Sequence, residues 1–114
     1  MYIRYQIGNP SIKTESVVQE LEVTDGEMPG WGYNRQQRSM SYCLGEKDLV
    51  YGLGETVRGM NKRGWRYISN NTDETFHEEE KNSLYSSHNF FVIISADKSI
   101  GIYVDTPGVV EFDI

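Results

Sequence analysis

The chain carries one cysteine, Cys43, only three prolines and only two histidines in 114 residues. A single cysteine excludes an internal disulfide, and such usage fits a reducing compartment. No segment approaches the length of a membrane-spanning helix, and the opening MYIRYQIGNP lacks the apolar core of a secretory signal. The expected location is therefore cytoplasmic, with no membrane partner. Positive charge is scarce too: 11 Lys and Arg stand against 17 Asp and Glu, a net charge of −6. Nucleic-acid phosphates need clustered cations. Arg58, Lys62, Arg63 and Arg66 do cluster, but Glu74, Glu78, Glu79 and Glu80 follow and interrupt any basic stripe. Nucleic acid is not an expected partner.

Helical periodicity is the next absence, and what fills its place is a series of short alternating or apolar runs between turn signals. Met1, Ile3, Tyr5 and Ile7 alternate with polar neighbours up to Gly8-Asn9-Pro10, and Val17 to Thr24 alternates again. The passage Asp25 to Tyr33 reads as loop. Met40, Tyr42 and Leu44 mark a half-buried strand, with Cys43 as a small buried filler rather than a nucleophile. Leu49 to Leu53 and Trp65 to Ser69 read as strands. Residues 70–83 are almost wholly polar, with one helical turn expected around His77 to Lys81.

Downstream the β signal is strongest. Phe90 to Ile94 is a buried strand by composition, and Ile100 to Val104 is its hairpin partner across Ala96-Asp97-Lys98-Ser99. Asp105-Thr106-Pro107-Gly108 predicts a type II turn, and Val109 to Ile114 a final strand. About seven short strands without a long helix predict an antiparallel β-sandwich. Residues 1–114 fit one domain of modest core. Val110, Phe112 and Ile114 share one face of the last strand, which suggests that more polypeptide normally follows.

The stretch YGLGETVRGMNKRGWRYISNNTD, residues 51–73, concentrates the candidate chemistry. Its glycines, Gly52, Gly54, Gly59 and Gly64, match neither the dinucleotide fingerprint nor the phosphate loop. The helix whose N-terminus would hold the anion is not predicted either. A metal site at His77, Glu78, Glu79, Glu80 and His88 fails the zinc-protease spacing, because Lys81 stands four residues after His77. A solvated acidic loop explains that run. Neither metal nor cofactor is expected.

A sugar site asks for aromatic faces beside carboxylates and amides that bond adjacent hydroxyls. Trp65, Tyr67, Asn70, Asn71, Thr72 and Asp73 supply those types together. Composition alone leaves a second reading open, and weights it more heavily: Trp65 and Tyr67 in the core, Asn70 to Asp73 shaping a turn.

Five short motifs in order then carry a resemblance. Tyr51-Gly52-Leu53-Gly54-Glu55, Asn61-Lys62-Arg63-Gly64 and Asn71-Thr72-Asp73 come first. Leu84 to Phe91, then Gly101 to Asp105 with Val110 to Ile114, complete the order. Together they resemble the N-terminal domain of glycoside hydrolase family 31, mostly α-glucosidases and α-xylosidases. The resemblance covers residues 51–114, whereas residues 1–50 fit in length and strand pattern only.

It implies a galactose-mutarotase-like sandwich that packs on its own C-terminal catalytic barrel. A loop, here Ser69 to Tyr85, would reach the barrel's mouth and place Asp73 against an α-glucoside. Arg63, Trp65 and Asn71 are the accompanying substrate-binding candidates, as loop supports or edge residues. Many members carry tryptophan where this chain has Asn70 and proline where it has Asn89, which puts one aromatic wall of the site in question. The YGLGETVRGMNKRG stretch is similar to bacterial α-glucosidases and favours glucose over xylose. Both catalytic carboxylates would belong to the barrel, leaving none here, and Glu55 would support loop amides. The rival readings are a stand-alone carbohydrate-binding module and an interaction domain whose open sheet edge pairs into a homo-oligomer.

Overall fold

The computed structural model describes residues 2–9, 21–73 and 75–114. These residues form nine strands and no helix, in two compact units, 1–44 and 45–114. The expected all-β class holds.

In the first unit, β1 (Tyr2–Gln6) pairs with β2 (Leu21–Asp25), and β3 (Trp31–Asn34) with β4 (Ser39–Tyr42). The β1–β2 ladder is parallel, so antiparallel pairing is not universal here. A parallel pair needs a connection of a dozen residues or more, and residues 7–20 provide that length. Of the expected strand at Val17 to Thr24, the part before Leu21 lies outside the described residues.

The hairpin β3–β4 corrects the expected loop from Asp25 to Tyr33. Trp31 and Tyr33 alternate with Gly32 and Asn34, and Trp31 stacks on Tyr42 with ring centroids 5.0 Å apart. The loop is confined to residues 26–30, just ahead of the strand. Asn34 shapes the turn between the strands: its Oδ1 accepts from the backbone N–H groups of Gln36 and Gln37, both at 3.1 Å. Tyr42 is half-buried as expected, but Met40 is exposed. Cys43 is also exposed, which corrects its reading as a buried filler. The strand ends at Tyr42, so the alternation read through Leu44 no longer describes a pleated surface.

The second unit holds every buried apolar side chain among the described residues: Val50, Leu53, Tyr67, Leu84, Phe91 and Ile93. Three antiparallel strands, β5 (Leu49–Gly54), β7 (Ser87–Ile94) and β8 (Ser99–Tyr103), lie in the order β5-β7-β8. Val50, Ile93 and Ile100 are cross-strand partners and therefore share one face. The predicted hairpin is formed across residues 95–98, closed by Ser95 N–H to the Lys98 carbonyl at 2.8 Å. A second, two-stranded sheet pairs β6 (Arg66–Ile68) with β9 (Glu111–Asp113). Tyr67 and Phe112 are opposite one another there, and the Phe112 ring meets Phe91 edge-on at 5.6 Å. The two sheets thus share an aromatic core, the sandwich arrangement.

The glycines of the YGLGE motif act through the backbone. Gly52, Leu53 and Gly54 all have positive φ, at 125°, 67° and 85°. The β5–β7 register shifts between Gly52 and Gly54, so the segment is a bulge. A Cβ on Gly52 would lie 2.5 Å from the Phe90 carbonyl oxygen, and one on Gly54 would lie 2.5 Å from that of Ser86. Only glycine fits both the dihedral angles and the approach. Where one helical turn is expected around His77 to Lys81, the chain makes a single i→i+3 turn closed by Lys81 N–H to the Glu78 carbonyl, and no helix extends from it. Another turn expectation is corrected. Gly108 does not adopt the positive φ that a type II turn requires at its third position. Thr106 instead organises that loop, its N–H bonding the Val104 carbonyl and its Oγ1 accepting from Gly108 N–H.

Candidate functional site

The polar ribbon from Ser69 to Tyr85 leaves β6 and returns to β7 with both ends held. Its neck closes where Thr72 N–H donates to the Leu84 carbonyl at 2.9 Å and Thr72 Oγ1 to the Ser83 carbonyl at 2.8 Å. One residue earlier, Asn71 Oδ1 accepts from Ser87 N–H at 2.7 Å and Ser87 Oγ at 2.6 Å. Past the bulge, Glu55 N–H donates to the Ser86 carbonyl and Leu84 N–H to the Glu55 carbonyl. Glu55 therefore supports the ribbon through its backbone, while its side chain is exposed.

Asp73 is the first residue beyond this neck, and its side chain is exposed. Its backbone start is fixed by Thr72, so the carboxylate is presented to solvent from a constrained point. A carboxylate so placed accepts hydrogen bonds from vicinal hydroxyls, the chemistry that a sugar offers.

The other sequence candidates divide between ribbon and scaffold. Asn71 is on the ribbon and commits its carbonyl oxygen to Ser87. Trp65 adjoins β6 with 39% of its surface exposed, and the Arg58 guanidinium lies 4.5 Å from its ring centroid. Arg63 is not on the ribbon. Its Nη1 donates to the carbonyls of Gly45 at 2.5 Å and Asp48 at 2.9 Å, securing the turn ahead of β5.

Arg58 was not among the candidates, yet it touches more of the ribbon than any of them. It is 8% exposed, and all three of its donor nitrogens end on backbone carbonyls. Nε donates to Glu79 at 2.5 Å, Nη2 to Glu80 at 3.0 Å and Nη1 to Arg66 at 2.5 Å. The cation also lies 4.9 Å from the Tyr67 ring centroid, within cation–π range. Lys62 is 5.4 Å from the same ring and is likewise buried, with its ammonium donating to Thr56 Oγ1 at 2.8 Å. Burial lowers the Lys62 pKa below its ordinary 10.5, and the Arg58 charge lowers it further. Burial raises the Tyr67 phenol above its ordinary 10.0, with Arg58 opposing. The only hint in the sequence was the pair Trp65 and Tyr67, two aromatic faces near a basic cluster.

At the foot of the ribbon a cleft of about 410 Å³ is lined by the bulge glycines, Ser69, His88, Asn89, Phe90 and Tyr103. His77 and His88 are separately engaged, with the Tyr85 hydroxyl at 3.3 Å and the Ser86 hydroxyl at 3.0 Å. Among the described residues no three His, Cys, Asp or Glu side chains converge as metal ligands.

A family model described as the glycosyl hydrolase 31 N-terminal galactose mutarotase-like domain matches residues 12–113. The match extends through residues 12–50, where the sequence carries strand pattern without specific motifs. No curated protein matches the chain.

Proposed function

The chain belongs to the glycosyl hydrolase 31 N-terminal galactose mutarotase-like domain family, and from that premise we propose that it serves a retaining α-glucosidase. Such a domain implies a linked catalytic domain in the full enzyme. In this reading the sandwich packs on a catalytic barrel and lends it the Ser69–Tyr85 ribbon as one wall of the substrate pocket. The observation that carries it is Asp73: exposed, one residue past a neck closed by two hydrogen bonds.

The chemistry is divided accordingly. Retaining hydrolysis uses two carboxyl groups about 5 Å apart, one as nucleophile and one as acid/base. Those belong to the barrel, and the reaction splits terminal α-linked glucose through a covalent glycosyl-enzyme. Asp73 accepts hydrogen bonds from sugar hydroxyls near the cleaved bond and orients the ring without exchanging a proton. Asn71 supports that placement by holding the ribbon to Ser87, and Trp65 by bracing Arg58.

The test is Asp73→Ala in the full enzyme with a nitrophenyl α-glucoside. Loss of one charge-assisted hydrogen bond lowers kcat/KM by about 10- to 100-fold. Unchanged kcat/KM in a folded variant removes Asp73 from the site.

The stand-alone binding module gains less from the structure. On the ribbon Tyr85 meets the His77 ring edge-on, which leaves Phe76 as the most exposed aromatic there. Trp65, which adjoins the ribbon at β6, has the Arg58 guanidinium over its ring. A sugar-binding platform needs that surface open.

A further inference from the structure

We propose that Arg58 is a positioning residue for the sugar site, fixing the ribbon so that Asp73 is held at its working place. The inference rests on the reading of Asp73 above and adds the device that controls it. Three facts converge. The guanidinium bonds the carbonyls of Glu79 and Glu80 on the ribbon's far limb and that of Arg66 at the start of β6. It is packed between Trp65 and Tyr67, at 4.5 and 4.9 Å from their ring centroids. It is also 8% exposed, whereas Glu78, Glu79 and Glu80 have exposed side chains. The acidic run is therefore bound by its backbone and not by its charge.

The neck alone fixes only residues 71–72 and 83–87. Residues 73–82 between them bury no apolar side chain among the described residues: Phe76 is exposed, and the His77 ring meets Tyr85 edge-on at 5.6 Å. Such a segment has little apolar burial to hold one shape. Arg58 supplies a polar hold. A planar fork presents its donors in fixed directions, so it registers two successive carbonyls against a third on β6. Lysine at this position offers a single ammonium and cannot span that set. Arg58 itself need not touch the substrate.

Two measurements on Arg58→Ala and Arg58→Lys test this. The first uses the 114-residue chain: hydrogen exchange at Lys81, whose N–H bonds the Glu78 carbonyl, together with protease cleavage within residues 73–82. Both variants are expected to exchange and cleave faster there, with β7 and β8 protected as in the parent. Added free guanidinium is expected to restore Arg58→Ala and not Arg58→Lys. Unchanged exchange and cleavage overturn the clamp. If β7 and β8 also lose protection, Arg58 is a general stabiliser and the positioning role is overturned.

The second measurement uses the full enzyme. Arg58→Ala is expected to lower kcat/KM by about tenfold or more, towards the roughly 100-fold that misplacement by an ångström can cost. In the Asp73→Ala background the same substitution should add little, because both act through one contact. Full additivity overturns the positioning role. If Asp73→Ala alone leaves activity intact, the sugar-site reading fails and the positioning role with it, while the exchange experiment still decides whether the clamp exists.

Discussion

Replacing Gly52 by alanine tests whether the YGLGE motif is a backbone device. Gly52 has a φ of 125°, and a Cβ there would lie 2.5 Å from the Phe90 carbonyl oxygen and 2.8 Å from the Phe91 Cα. Those atoms belong to β7, the central strand of its sheet, and cannot swing aside as a long side chain would. The left-handed conformation costs a residue with a Cβ about 1–2 kcal/mol. Forcing β7 away adds about 1–3 kcal/mol. The sum, about 2–5 kcal/mol, is a large share of the roughly 5–15 kcal/mol of a typical domain. At about 4–8 °C per kcal/mol the melting temperature falls by about 8 °C or more. Thermal and urea melts followed by circular dichroism measure it. Two other glycines separate the terms. Gly64 has a φ of 80° with open space around its Cβ position, so Gly64→Ala carries the conformational term alone. Gly59 has open space without a left-handed φ, so Gly59→Ala is neutral or gains about 0.4–1 kcal/mol. If Gly52→Ala melts with Gly64→Ala, the contact with β7 is not what selects glycine. If all three melt with the parent, the bulge does not need them.

The scaffold candidates give sharper expectations for stability than for substrate. Arg63→Ala removes the Nη1 bonds to Gly45 and Asp48 and should lower unfolding free energy by about 1–2 kcal/mol in urea; an unaltered midpoint leaves Arg63 available to a ligand. Asn71→Ala should lose a similar amount, about 1–2 kcal/mol, whereas Asn71→Asp keeps the acceptor for Ser87 and most of the stability. Lys62 has a lowered folded pKa, so between that value and 10.5 the unfolded chain binds more protons and stability rises with pH. Tyr67 is raised above 10.0, so beyond pH 10 the folded chain binds more protons and stability falls. Urea melts across this range should show the rise, and Lys62→Met should abolish it; a rise that survives in the variant refutes the assignment to Lys62. The isolated chain should release no nitrophenol from an α-glucoside and give no binding heat with maltose in titration calorimetry. Release would place catalytic groups within it, and binding heat would favour the free-standing module.

What was legible in the sequence was what depends on neighbours along the chain. Phe90 to Ile94 and Ile100 to Val104 carry apolar and β-branched residues on both sides of a short polar turn, and no other pairing suits them. The bulge glycines were visible as glycines, although their purpose needed β7 beside them. Errors arose where alternation and strand extent parted company. Leu44 continues the rhythm of Met40 and Tyr42, but it and Cys43 both follow the last paired residue. Trp31 and Tyr33 alternate within a stretch whose glycines and Pro29 look like loop. Pro107 and Gly108 carry the residues of a type II turn, yet glycine accepts φ of either sign and the Thr106 hydroxyl selected another geometry. Arg58 was illegible for a deeper reason. Its burial depends on the carbonyls of Glu79 and Glu80, whose side chains give no sign that their backbones are acceptors.

Bulge, neck and clamp also form one mechanical series. Because β5 turns through Gly52, Leu53 and Gly54 as it crosses β7, its next residue, Glu55, meets the ribbon's return limb and bonds both Ser86 and Leu84. Leu84 is buried, and its carbonyl receives Thr72, the residue before Asp73. Straightening the bulge would therefore displace the neck before it disturbed the hairpin of β7 and β8. Arg58 lies on the same segment, three residues past Glu55, so the arm leaving the bulge carries both the neck bonds and the clamp. A change at Gly54 should consequently reach Asp73 through the backbone. Gly54→Ala assayed in the full enzyme at a temperature where it remains folded should lose kcat/KM through the displaced neck. Full activity in that folded variant would mean that the ribbon is set independently of the bulge.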